Sequence, residues 1–89
     1  MNPQAPELEA IPSVEPLLTD VIATLALAAH AYLADDAEKT PDIAAAQIAI
    51  DVAAAAFERV KERLRSEQRL AITQMLTETR LAFIKKRGV

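Results

Sequence analysis

Cysteine and tryptophan are absent, and glycine occurs once, at Gly88. Without thiols there is no disulfide framework and no thiolate metal centre, which fits a reducing, cytoplasmic setting. With its one glycine at position 88, the chain has no glycine-rich loop to cradle phosphates, so nucleotide folds of that kind are excluded. Histidine also occurs once. His30 has Ala26, Leu27, Ala31 and Ala34 at helical spacing, none of which ligates a metal or relays a proton. It reads as a partly exposed or interface histidine, with a pH-sensitive contact between two copies as the sharper alternative. No Lys or Arg precedes Lys39, so no positively charged secretory leader is expected. The most apolar window, Val21 to Ala34, covers about 14 residues, whereas a membrane helix needs about 20. Asp20 bounds it, and no membrane span is expected.

What is present is alanine and charge. The 89 residues suffice for one small domain, and 52% are apolar, with only three aromatics: Tyr32, Phe57 and Phe83. Alanine buries little area at roughly 25 cal/mol per Å², so the core of one copy is thin and a second copy is expected to add to it. The charge is unevenly spread. Residues 1–42 hold eight acidic side chains and one basic, and residues 43–89 hold five acidic and nine basic. Such a split predicts attraction between the halves, with an anionic partner for the basic half as the alternative.

Four of the five prolines lie at positions 3, 6, 12 and 16, so residues 1–12 are expected as a flexible or extended arm. The single helical domain is expected over 13–87, with helices at about 14–34, 41–64 and 67–86. Ser13 is the expected cap of the first helix, and Pro16 falls in its first turn, where a missing N–H costs little. Leu18, Ile22, Leu25, Ala29 and Tyr32 form its stripe, and further apolar residues surround it nearly all round, as in a buried helix. Thr40 as cap, Pro41 at the first position and Asp42 in the first turn mark the second helix. Its seam repeats every seven residues, Ile43, Ile50, Phe57 and Leu64, with Ala46, Ala53 and Val60 between.

No Gly or Pro separates Asp42 from Arg87, so one long helix is an alternative. The seam falters after Leu64, however, and Ser66 followed by Glu67 reads as a new start. A break at Arg63–Ser66 is therefore expected. The third helix carries Ile72, Leu76 and Phe83 on one stripe, and Leu70, Leu81 and Ile84 on another. The expected architecture is all-α: an arm, one helix and an antiparallel hairpin, forming a helical-bundle homodimer.

Residues 24–84 resemble the small bacterial DUF1844-like family (domain of unknown function 1844). The resemblance is carried by Thr24 to Ala26, Tyr32 to Leu33, "PDIAAAQIAID" at Pro41 to Asp51, "SEQRL" at Ser66 to Leu70 and "ETRLAFI" at Glu78 to Ile84. The chain lacks that family's glycine-asparagine turn before the last helix, where it has "KERLR", and Ala82 replaces its second arginine. The resemblance implies a small helical bacterial protein and no activity.

Candidate chemistry is sparse. Asp51 is the one charge in "QIAIDVAAAAF", and it reads either as part of a solvated face or as the partner of Arg80. An antiparallel hairpin turning between Arg65 and Ser66 places those two at one level, along with Gln47 and Ile84, and Val60 and Ala71. The pair would fix the register of the hairpin. No catalytic set accompanies Asp51, and no cofactor is expected. Asp35, Asp36, Glu38 and Asp42 lack calcium-loop spacing. Arg59, Lys61, Arg63, Arg65 and Arg69 cluster at the hairpin turn, and Lys85, Lys86 and Arg87 near the end. Together they are the candidate anion-binding or nucleic-acid-binding residues, although no aromatic lies nearby to stack a base. The function expected first is a non-enzymatic interaction module that self-associates and docks on another protein.

Overall fold

The computed structural model describes residues 11–36 and 38–88. It is all-helical, with no strand among the described residues: α1 at Val14–Leu33, α2 at Ile43–Val60, a 3-10 turn at Lys61–Arg63, and α3 at Ser66–Arg87. Of the expected arm, residues 1–10 lie outside the described residues. Ile11, Pro12 and Ser13 are exposed.

α1 begins after Ser13, whose side chain makes no capping bond. Glu15 places negative charge in the first turn, where the helix dipole favours it, and Pro16 adds no orphaned donor there. The helix ends without glycine. Ala34 turns to extended backbone, and the Lys39 ammonium reaches back to donate to the Ala31 carbonyl at 2.8 Å, satisfying a terminal acceptor. The connecting loop closes on itself. Asp36 and Lys39 exchange backbone hydrogen bonds at 3.2 Å, and the Glu38 N–H donates to Asp36 Oδ1 at 2.9 Å, a local turn that short polar side chains favour.

α2 starts two residues later than its sequence signals suggest. Asp42, not Thr40, is the cap: its Oδ1 accepts from the Ala45 N–H at 3.0 Å. Its backbone N–H donates to the Tyr32 carbonyl at 2.7 Å. Asp42 therefore ties the start of α2 to the end of α1. Pro41 precedes the cap instead of opening the helix.

The break between α2 and α3 is real and contains neither Gly nor Pro. α2 ends at Val60, four residues short of the expected 64; a 3-10 turn follows, and Leu64 and Arg65 are both extended. Arg69 holds this geometry. Its Nη1 donates to the Leu64 carbonyl at 2.6 Å and to the Lys61 carbonyl at 3.3 Å, so a guanidinium supplies the donors that a glycine cap would otherwise draw from backbone. On the other side of the turn, Gln68 Oε1 accepts from the Arg65 N–H at 3.0 Å. That is half of a capping box, because an arginine side chain has no acceptor to complete it. The cap is thus Arg65, with Ser66 as the first helical residue. At the far end, Gly88 donates to the Ile84 carbonyl at 2.7 Å. Its backbone is right-handed, but a Cβ there would lie 2.8 Å from that oxygen, so glycine is needed for closeness and not for conformation.

Each helix packs on the other two, with α1 and α2 in the most extensive contact. Ala26 and Ala29 of α1, and Ala46, Ala49 and Ala53 of α2, are all buried. Small side chains along both helices permit a close approach. The alanine seam thus serves first within one chain. α1 runs antiparallel to α2, with Leu25 beside Ala49 and Tyr32 beside Ala45. α3 runs antiparallel to α2: Gln47 and Ile84 line one groove between them, and Glu58 and Thr73 another.

The core divides in two. Ile22, Ala53, Val60, Leu64, Ile72 and Leu76 form the cluster toward the hairpin turn. Ala29, Leu33, Ala46, Ala49, Ile50 and Phe83 form the other. Between Leu76 and Phe83 on α3 sits Thr79, fully buried and the one buried polar residue among those described.

Candidate interaction surface

Of the predicted core and interface residues, Ile22, Ile50, Leu64, Ile72, Leu76 and Phe83 are buried. Leu18, Leu25, Ile43 and Phe57 are half-buried against them. Tyr32 and Leu81 are not core in one chain: they are 38% and 52% exposed. The buried stripe of α1 is Ile22, Ala26, Ala29 and Leu33. It is turned from the expected one because α1 faces both α2 and α3, so its buried centre lies between the two contacts. Leu70 and Ile84, on the second stripe of α3, are also exposed.

One apolar surface is on the outer side of the α1/α2 pair. Leu17, Val21 and Tyr32 of α1 face outward there, beside Ile48 and Val52 of α2, which are 64% and 49% exposed. A shallow groove of about 250 Å³ runs between them, lined by Leu25, Ala28, Tyr32, Ala45, Ile48 and Ala49. Sequence reasoning missed Ile48 and Val52. Their signal is the four-residue spacing on the side of α2 away from its seam, where a surface helix ordinarily carries charge.

α1 is also the one described helix long and apolar enough to cross a membrane. In this fold, Ile22, Ala26, Ala29 and Leu33 are buried against α2 and α3.

Charged side chains line parts of the other grooves. Asp51 and Arg80 line one groove together with Gln47, Phe83 and Ile84. They form no ion pair, contrary to the expected register contact: the ion pairs among the described residues are Lys61–Glu58, Arg63–Glu15 and Lys86–Asp35. Both side chains are exposed, and water competes with so weak an attraction. Asp51 therefore belongs to a wet face.

Most of the predicted anion-binding residues have internal partners. Lys61 bonds Glu58 at 2.8 Å, and that hydrogen bond, reinforced by the carboxylate's charge, raises the ammonium above its ordinary 10.5. Arg63 Nε donates to Glu15 Oε2 at 3.1 Å. Lys86 lies 3.6 Å from Asp35, Arg69 holds the turn, and Arg87 stacks over the Phe83 ring at 5.4 Å. Two of these ion pairs join the acidic half of the chain to the basic half. Arg59, Arg65 and Lys85 are exposed and form no ion pair among the described residues.

His30 has a partner that helical spacing within α1 does not reveal. Its Nε2 lies 3.1 Å from Thr79 Oγ1 on α3. The Thr79 hydroxyl donates its one proton to the Met75 carbonyl at 2.8 Å, so it accepts from His30 and assigns that ring proton to Nε2. The exposed imidazole thus completes the hydrogen bonding of a buried hydroxyl. No three His, Asp or Glu side chains come together to hold a metal among the described residues.

No family model, no curated protein and no solved structure matches this chain.

Proposed function

We propose that this chain is a non-enzymatic helical assembly module that self-associates and, in the cytoplasm, docks on another protein. The observation that carries the reading is the apolar face of the α1/α2 pair, exposed in one copy. Monomeric soluble proteins keep such patches small, and larger ones mark interaction sites. α1 belongs to this assembly and not to a membrane in our reading, since Ile22, Ala26, Ala29 and Leu33 pack on two neighbours. The resemblance to a bacterial helical family of no assigned activity is compatible with it. Nucleic-acid or anion binding is the weaker alternative, because five of the eight basic candidates are engaged within the chain.

Affinity capture of the tagged chain from its native cell tests the docking. Protein partners with no enrichment of RNA or DNA support the reading. Nucleic acid held at low salt and released steeply as salt rises would replace it with the alternative.

A further inference from the structure

We infer that the α2–α3 turn is a hinge, and that two copies associate by exchanging α3 through it. This rests on the self-association proposed above and names the element exchanged. The backbone of the turn carries no helix breaker. No Gly or Pro lies between Asp42 and Arg87, and no described residue has a positive φ. Val60 and Lys61 are right-handed, and Lys61–Arg63 forms the 3-10 turn. Leu64 and Arg65 leave the helical region through ψ alone, at 153° and 158°, with φ still negative. Turning those two ψ angles to the helical value near about −42° joins α2 and α3 into one helix. Side chains hold the bend instead. Arg69 Nη1 donates to the Leu64 and Lys61 carbonyls, and Gln68 Oε1 accepts from the Arg65 N–H. In a continuous helix, the Leu64 carbonyl accepts from the Gln68 N–H and the Lys61 carbonyl from the Arg65 N–H. These groups are therefore partnered in either form, and the bend rests on one guanidinium and one amide.

A straight α2–α3 helix does not stand alone. It spans about 68 Å over Ile43–Arg87, which carries α3 away from its own α1/α2 pair. Ile72, Leu76 and Phe83, buried in the single copy, would then face water, and the place they fill between α1 and α2 would stand open. The segment that fits that place is α3 of a second copy, because it has the same sequence. Reciprocal exchange refills both places and restores the α3 packing of each core, which is why such exchange is a low-cost route to a dimer. α3 is also the element least tied to the rest. α1 and α2 are in the most extensive contact, and the Asp42 N–H joins them again at the Tyr32 carbonyl. They stay together while α3 changes chains.

The test measures the distance between two spin labels, with molar mass by light scattering on the same sample. The chain has no cysteine, so Asp51→Cys with Arg80→Cys supplies the label sites, both exposed and lining one groove. Labelled chain is refolded with a large excess of unlabelled chain, so that a dimer holds one labelled copy. The hairpin keeps the labels close, whereas the exchanged form sets them about 44 Å apart along one helix. The otherwise wild-type chain should show the long distance in its dimer and the short one in the single chain. Ser66→Pro places proline at the first position of α3, after the extended Arg65, where it is tolerated; in the continuous helix it falls in the interior and breaks it. That variant should show only the short distance, which itself reports a folded hairpin, with dimer affinity lowered at least about a hundredfold. Arg69→Met, which loses both turn bonds, should raise the share of the long distance. A dimer with only the short distance overturns the exchange and leaves self-association standing. A long distance undiminished in Ser66→Pro overturns the hinge at this turn. A wild type that stays a single chain overturns both the exchange and self-association.

Discussion

Thr79 and Asp51 show how little a single residue's chemistry predicts its place. Thr79 is polar, yet fully buried; Asp51 is the charge in an apolar run, yet faces water. Periodicity found Leu76 and Phe83 but passed over the threonine between them, because a hydroxyl that bonds its own helix at Met75 and an imidazole on α1 is invisible to a hydrophobic pattern. Removing that hydroxyl leaves the Met75 carbonyl within its helix and His30 in water, so no buried group is orphaned. Thr79→Val is therefore expected to change stability by less than about 1 kcal/mol, while Thr79→Ala, which opens a methyl-sized void, should cost about 1 kcal/mol more. Urea unfolding of both variants checks this; a Thr79→Val cost above that of Thr79→Ala would make the hydrogen bond, not the packing, the important term.

Lys61 gives a second residue-scale prediction. Its folded pKa is raised above 10.5 chiefly by its hydrogen bond to Glu58. A raised pKa contributes stability that is fully present below the unfolded value and lost as pH rises through the folded one. The effect thus belongs to the alkaline window above 10.5. In an NMR titration, the Lys61 ammonium should titrate at higher pH in the wild type than in Glu58→Ala, which removes both the acceptor and its charge; equal midpoints would remove Glu58 as the cause.

At the scale of elements, helix existence was legible, and so were the ends of α1 and α3 to within one residue, but the ends of α2 were not. The seam of α2 as far as Phe57 and the Ile72–Leu76–Phe83 stripe of α3 lie where the pattern puts them, whereas Leu64 is buried from the extended turn that follows the helix. The ends depend on which polar side chain reaches which carbonyl, and several candidates compete. Asp42 outcompetes Thr40, since a carboxylate also meets the helix dipole. The α2–α3 turn, where a glycine would be expected, is held by Arg69 across five and eight residues of chain, a contact no local motif announces. Arg69→Met keeps much of the aliphatic stem and loses both bonds. It should cost about 1–2 kcal/mol, whereas Arg65→Ala, exposed and lacking such bonds, should stay within about 0.5 kcal/mol. Chemical unfolding of the pair is the check, and equal effects would mean the turn holds without the guanidinium.

On the scale of the whole molecule, the alanines decide. Ala26, Ala29, Ala46, Ala49 and Ala53 let α1 and α2 come close, but they bury little area, so Ile22, Val60 and Thr79 are the largest fully enclosed side chains. The split of charge is used within the chain, through Glu15–Arg63 and Asp35–Lys86. Of the apolar residues left exposed, Leu17 and Val21 of α1 and Ile48 and Val52 of α2 lie on the outer side of the α1/α2 pair. That gathering was not legible, because it requires knowing how α1 and α2 are rotated toward each other. The self-association proposed above rests on it, and sedimentation equilibrium of the wild-type chain from about 1 to about 100 μM tests that proposal most directly. The account predicts a mass of two chains at the upper concentrations, with dissociation on dilution. One chain mass throughout would contradict it.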